Sequence, residues 1–114
     1  MPVDKQLGLL RDMLDSAKAI QQYLTGITRE QFMKDSEKQD AVLRRLEIIG
    51  EAASRLSVET QAKFPKLPFR AMRGMRNILI HDYGDIDLEQ VWTTASNDLT
   101  ELTVTLEQYF ATLS

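Results

Sequence analysis

Residues 36–56 read Ser36-Glu-Lys-Gln-Asp-Ala-Val-Leu-Arg-Arg-Leu-Glu-Ile-Ile-Gly-Glu-Ala-Ala-Ser-Arg-Leu56. Val42, Leu43, Leu46, Ile49, Ala53 and Leu56 recur at three- and four-residue steps, the period of one helix face. Ser36 with Gln39 has the spacing of a capping box, so the helix is expected to open there. Gly50 falls inside it. An interior glycine costs about 1 kcal/mol relative to alanine, so close contact with another helix is expected at that point.

The same period extends in both directions. Upstream, Leu10, Met13, Leu14, Ala17, Ile20 and Leu24 form an apolar stripe, followed by Gly26 where a helix C-terminal glycine belongs. Thr28 with Gln31 predicts a second capping box, opening a short turn that carries Phe32 and Met33. Downstream, Ser57–Phe64 reads as a short helix or turn. Pro65 and Pro68 break and restart the chain, and Pro68 suits a first helical turn. A further helix is expected from about Phe69 to about His81, closed by Gly84 and Asp85. The last spans about Asp87 to Leu113, with Leu88, Val91, Trp92, Ala95, Leu99, Leu102, Leu106, Tyr109 and Phe110 as its apolar set. Asp85 and Asp87 read as turn and cap residues. No alternating strand pattern and no repeat occurs. The expectation is an all-α chain: an antiparallel up-and-down bundle of four main helices plus short helical turns.

Composition agrees with a single domain over residues 1–114. Of the 114 residues, 43% are apolar, close to the globular norm of about 45–50%. Five glycines and three prolines are too few for a loop-dominated chain. There is no cysteine and one histidine, so a disulfide scaffold, a thiol nucleophile and a thiolate or His-rich metal site are excluded for one chain. No metal and no cofactor is expected. No apolar run approaches the roughly 18–20 residues of a membrane span, and the opening residues lack the basic-then-apolar pattern of a signal peptide. A cytoplasmic protein is expected.

The net charge of −3 hides an asymmetry. Thr60–His81 holds five of the 14 bases (Lys63, Lys66, Arg70, Arg73, Arg76) and none of the 17 acids. A basic island on an acidic body suggests a local anion site, although a solvated helix face has the same composition.

Within that island, residues 69–84 read FRAMRGMRNILIHDYG. With about 100° of turn per residue, Phe69, Met72, Met75, Leu79 and Ile80 share an apolar arc centred near Arg76. Arg70, Arg73, Asn77 and His81 then fall on one polar stripe, at about 60° to 140° from Arg76. Gly74 lies beside the stripe and leaves room for a ligand backbone. Arg76 stands inside the apolar arc, where a guanidinium is costly unless paired. That face is therefore open, or Arg76 has a fixed anionic partner. A cleft between helices or between subunits meets both conditions.

Histidine, whose unperturbed pKa is about 6.5, is the residue type suited to general acid–base work on a phosphodiester, and His81 is the one in this chain. Arg76 suits bidentate phosphate contact and stabilisation of developing negative charge. Asn77, one turn earlier, is placed to orient the imidazole. Tyr83 offers a phenol and a flat ring for base stacking. Plainer roles compete with these: a dipole-favoured histidine at a helix C-terminus, and solvated arginines at 70 and 73.

The order Arg76-Asn77-x3-His81-x-Tyr83 matches the Arg-x4-His-x-Tyr motif of the HEPN superfamily. More closely, the chain resembles the HepT-like toxins encoded beside minimal nucleotidyltransferase antitoxins. The resemblance covers roughly residues 7 to 110. It rests also on Ala41–Ala52, Leu56-Ser57, Phe64-Pro65-x2-Pro68-Phe69, Gly74-Met-Arg-Asn77, Val91-Trp92 and Asn97-Asp98-Leu99. Phe69 stands where the family often has Trp, a departure that touches no catalytic position.

The resemblance implies a helical homodimer whose two motifs line a shared cleft. It implies metal-independent endoribonuclease activity toward RNA, with Arg76 and His81 catalytic, Asn77 and Tyr83 supporting, and Arg70 and Arg73 on the phosphates. It further implies a type VII toxin–antitoxin system, with a cognate nucleotidyltransferase that neutralises the toxin by AMPylation of Tyr83. The alternative is a non-catalytic HEPN module that binds nucleotide or partner and leaves RNA intact. A purely structural helical dimer would leave Arg76 on its apolar arc unexplained.

Overall fold

The computed structural model describes residues 2–74 and 87–113. Among these residues every regular element is helical and none is a strand. In chain order they are α1 (Pro2–Leu24), α2 (Arg29–Met33), α3 (Ser36–Ser54), α4 (Val58–Ala62), α5 (Phe69–Gly74), α6 (Leu88–Thr93), a π-helical turn (Thr94–Asp98) and α7 (Leu99–Thr112).

The expected punctuation of the first half is present. Gly26 has φ of 74°, a left-handed conformation that glycine enters without steric penalty. It ends α1 and turns the chain toward α2. The Thr28 hydroxyl accepts from the Gln31 amide at 3.1 Å, and Gln31 Oε1 accepts from the Thr28 amide at 2.9 Å, closing the capping box on both sides.

The start of α3 needs a correction. Its cap is Asp35, whose Oδ1 accepts from the Lys38 amide at 3.0 Å; Ser36 is the first helical residue. Asp and Ser serve comparably at this position, so the residue one step earlier takes the role. Gln39 instead donates from Nε2 to the Phe32 carbonyl at 2.9 Å, fastening α3 to α2. Ser57 caps α4 through the Thr60 amide, and Asp87 caps α6 through the Gln90 amide at 3.2 Å.

The core lies where α1, α3, α5 and α7 meet. The α1 stripe (Leu10, Met13, Leu14, Ala17, Ile20) is buried, as are Val42, Leu46, Ile49 and Ala53 of α3. Each fully buried large aliphatic side chain contributes about 1.5–3 kcal/mol relative to exposure, so this seam dominates the stability. Gly50 is buried on the same face of α3. Phe69 and Met72 carry α5 into the core, and Leu99, Leu102 and Leu106 carry α7.

The last helix differs from the continuous one expected. It is interrupted by the π turn at Thr94–Asp98. Val91, Ala95 and Leu99 are spaced by four, so on an uninterrupted α-helix they would drift about 80° around the axis. A π turn bonds i to i+5 and takes up one extra residue. That offsets the drift, and all three side chains are 3% exposed or less.

The expected helix over residues 69–81 enters the structure as α5. Its continuation, and the expected close at Gly84 and Asp85, lie outside the described residues. No helix among the described residues is long and apolar enough to cross a membrane.

Candidate functional site

The approach to the Arg-x4-His-x-Tyr segment is built by the turn after α4. The Leu67 amide bonds the Phe64 carbonyl at 3.0 Å, and the Met72 amide bonds the Pro68 carbonyl at 2.9 Å. Pro68 has no amide hydrogen, and here it stands just ahead of α5, where none is needed. Phe64 is held in place by Tyr109, whose ring meets it edge-on with centroids 4.9 Å apart.

α5 divides its residues as the helical period requires. Phe69 and Met72 are buried, Arg70 is exposed and Arg73 is half-buried. Among the described residues no atom lies within 4 Å of where a side chain would begin at Gly74. Arg73 Nη1 donates to Gln61 Oε1 at 3.4 Å, while Gln61 Nε2 donates to the Leu56 carbonyl at 3.0 Å. Gln61 thus links Arg73 to the end of α3. Reading residues along one helix does not find it, because its role depends on a contact between elements.

Lys63, Lys66 and Arg70 are exposed and Arg73 is half-buried. Lys63, Lys66, Arg70 and Arg73 form no ion pair among the described residues. Elsewhere, Lys18 pairs with Glu107, Arg44 with Glu47, and Arg29 with both Glu30 and Glu89. Lys63 Nζ lies 5.9 Å from the Tyr109 ring centroid, at the outer limit of a cation–π contact. Four cations within eleven residues, none of them in an ion pair among the described residues, are a composition able to hold a polyanion.

Arg76, Asn77, His81 and Tyr83 lie outside the described residues. Arg70 and Arg73 are therefore the sequence-predicted site residues whose surroundings are known. They stand on the helix that leads into the motif, with Arg76 only two residues past the end of α5.

The profile of the family described as "Ribonuclease HepT-like" matches residues 13–109. The chain belongs to this HepT-like family. The HepT-like relatives include a Thermococcus cleftensis protein named "Probable ribonuclease HepT", 36% identical, with 82% of this chain and 84% of that protein covered. A Methanocaldococcus jannaschii protein named "Putative RNase MJ0127" is 36% identical over 85% of this chain and 80% of its own length. A Caldanaerobacter subterraneus protein named "Putative RNase TTE0752" is 36% identical over 82% and 83% respectively. No solved structure matches the chain significantly.

Proposed function

We propose that this chain is the ribonuclease toxin of a type VII toxin–antitoxin pair, a single HEPN-like domain acting in the cytoplasm as a homodimer. Its helices form an antiparallel up-and-down bundle, and the two motifs face one cleft. The observation that carries the reading is the coincidence of the Arg76-x4-His81-x-Tyr83 motif with Arg70 and Arg73, which form no ion pair among the described residues, on the helix leading into it. Membership of the HepT-like family supports the same reading.

The chemistry follows from the residue types. Arg70 and Arg73 hold the RNA backbone. The ribose 2′-hydroxyl attacks the adjacent phosphorus, forming a 2′-O–P bond as the P–O5′ bond breaks. His81 of one subunit takes the 2′-hydroxyl proton, and His81 of the other supplies a proton to the leaving 5′-oxygen. Arg76 balances the charge that builds on the phosphoryl oxygens. Asn77 orients the imidazole and Tyr83 stacks on a base. The products are a 2′,3′-cyclic phosphate and a 5′-hydroxyl, with no metal required.

Neutralisation uses a different reaction at Tyr83. A cognate nucleotidyltransferase directs the Tyr83 hydroxyl to the α-phosphorus of ATP, and pyrophosphate leaves. The AMP so attached adds bulk and negative charge beside Arg76 and His81, and excludes RNA.

End-group analysis of RNA cleaved under EDTA tests the reaction. A 2′,3′-cyclic phosphate with a 5′-hydroxyl is expected. Products bearing a 5′-phosphate, or cleavage that requires added divalent metal, would rule the reaction out. Binding of nucleotide or partner without any cleavage would favour the non-catalytic module.

A further inference from the structure

A hollow of about 350 Å³ opens between the first turn of α5 and the π turn. Its volume falls within the roughly 300–1,000 Å³ of small-ligand sites, at the small end. Ala71 and Met72 contribute apolar surface, and Lys66, Asn97, Asp98 and Glu101 are its polar residues. We infer that this hollow receives a single unpaired base of the RNA substrate, with guanine preferred and uracil disfavoured. The inference rests on the ribonuclease reading above and assigns that reading a specificity site.

Three observations carry it. The first is continuity. Lys66 belongs both to the basic strip and to the hollow, and Ala71 lies beside Arg70 on α5. A strand whose phosphates follow the strip therefore brings a base to the opening. The second is availability. Asn97 and Asp98 are exposed, and neither side chain makes a hydrogen bond or ion pair among the described residues. The third is backbone geometry. Asn97 and Asp98 end the π turn, and such turns are frequent at functional sites.

The chemistry selects the base. Single-stranded RNA is read by stacking and by hydrogen bonds to exposed base edges. An ionised carboxylate only accepts, whereas an amide both donates and accepts. Guanine presents two adjacent N–H donors, which one carboxylate takes together, and its O6 accepts from an amide N–H. Uracil presents one N–H between two carbonyl oxygens, which a carboxylate repels. Asp98 and Glu101 repel phosphate, so they suit the base and not the backbone. Lys66 offsets that repulsion at the same opening.

The test uses full-length protein and ten-residue oligouridylates carrying one guanine at each position in turn. The His81→Ala variant, unable to cleave, is titrated by fluorescence anisotropy. Guanine at one position is expected to tighten binding about tenfold, the order of one good bidentate base contact. Asp98→Asn in the same background should erase that gain, with its circular dichroism melt confirming the fold. Binding that varies less than twofold with guanine position, or a gain that survives Asp98→Asn, would overturn the assignment. Wild-type protein is then given the same oligomers. Cleavage at a fixed distance from the guanine supports both readings. Cleavage indifferent to guanine sinks the base site and leaves the ribonuclease. A guanine-dependent affinity without cleavage sinks the ribonuclease and leaves the base site.

Discussion

The ring of Phe32 lies 5.4 Å, centroid to centroid, from the ring system of Trp92, at an interplanar angle of 42°. Phe32 is completely buried and belongs to α2; Trp92 belongs to α6, sixty residues later. The contact brings the five-residue α2 against the C-terminal half of the chain. Phe32→Ala should cost about 3–5 kcal/mol, the usual loss for a fully buried aromatic. In a chain of this size that lowers the melting temperature by about 15 °C. Thermal melts followed by circular dichroism check it; a shift under a few degrees would show that α2 contributes little to the fold.

The same seam carries an ion pair between Arg29 and Glu89, with Arg29 Nε donating to Glu89 Oε2 at 2.9 Å. Both side chains are about half exposed, at 44% and 57%. Water screens such pairs, and they contribute about 1 kcal/mol or less. Arg29→Gln should therefore shift the melting temperature far less than Phe32→Ala. Comparable losses would mean that the charge pair fastens α2 as firmly as the aromatic contact does.

Arg70 is exposed and lacks an acidic partner among the described residues. Neutralising it removes no internal interaction, so Arg70→Gln should leave the melting temperature within about 0.5 kcal/mol equivalent. Affinity for single-stranded RNA should fall about equally for all sequences. The slope of log affinity against log salt should shrink by about 0.7 to 1. Anisotropy titrations at four salt concentrations measure both quantities. An unchanged salt slope would place the backbone path elsewhere.

Tyr83 gives a further prediction. Incubation with the cognate nucleotidyltransferase and ATP should add one AMP per chain, at Tyr83 by peptide mass spectrometry, and should abolish cleavage. Tyr83→Phe should escape modification and escape neutralisation in parallel. Full activity of the modified protein would remove AMP transfer as the means of control.

Much of the helical frame was legible because it depends on local rules. Gly26 supplies a positive φ, Thr28 and Gln31 exchange cap bonds, and the α1 stripe from Leu10 to Ile20 keeps one face for eleven residues. The outward placement of Arg70 against the buried Phe69 and Met72 follows from the 100° step alone. Asp35 was missed because a serine with its own capping-box partner stood beside it. The π turn is illegible because the drift of about 80° over Val91, Ala95 and Leu99 still fits the roughly 100° width of an ordinary apolar helix face; the hydrogen-bond register shows the turn. Gln61 was illegible for a different reason: it joins Leu56 to Arg73 across the turns on either side of α4, and no periodicity encodes that contact.

The central claim is that His81 performs metal-independent cleavage of RNA. End-labelled RNA incubated in EDTA with purified protein, beside His81→Ala at equal concentration, addresses it most directly. The wild type should cleave. The variant, with an unchanged circular dichroism spectrum, should be at least about 100-fold slower, the least that loss of a general acid–base residue costs. Equal cleavage by both proteins, or none by a folded wild type with Tyr83 unmodified, would contradict the claim.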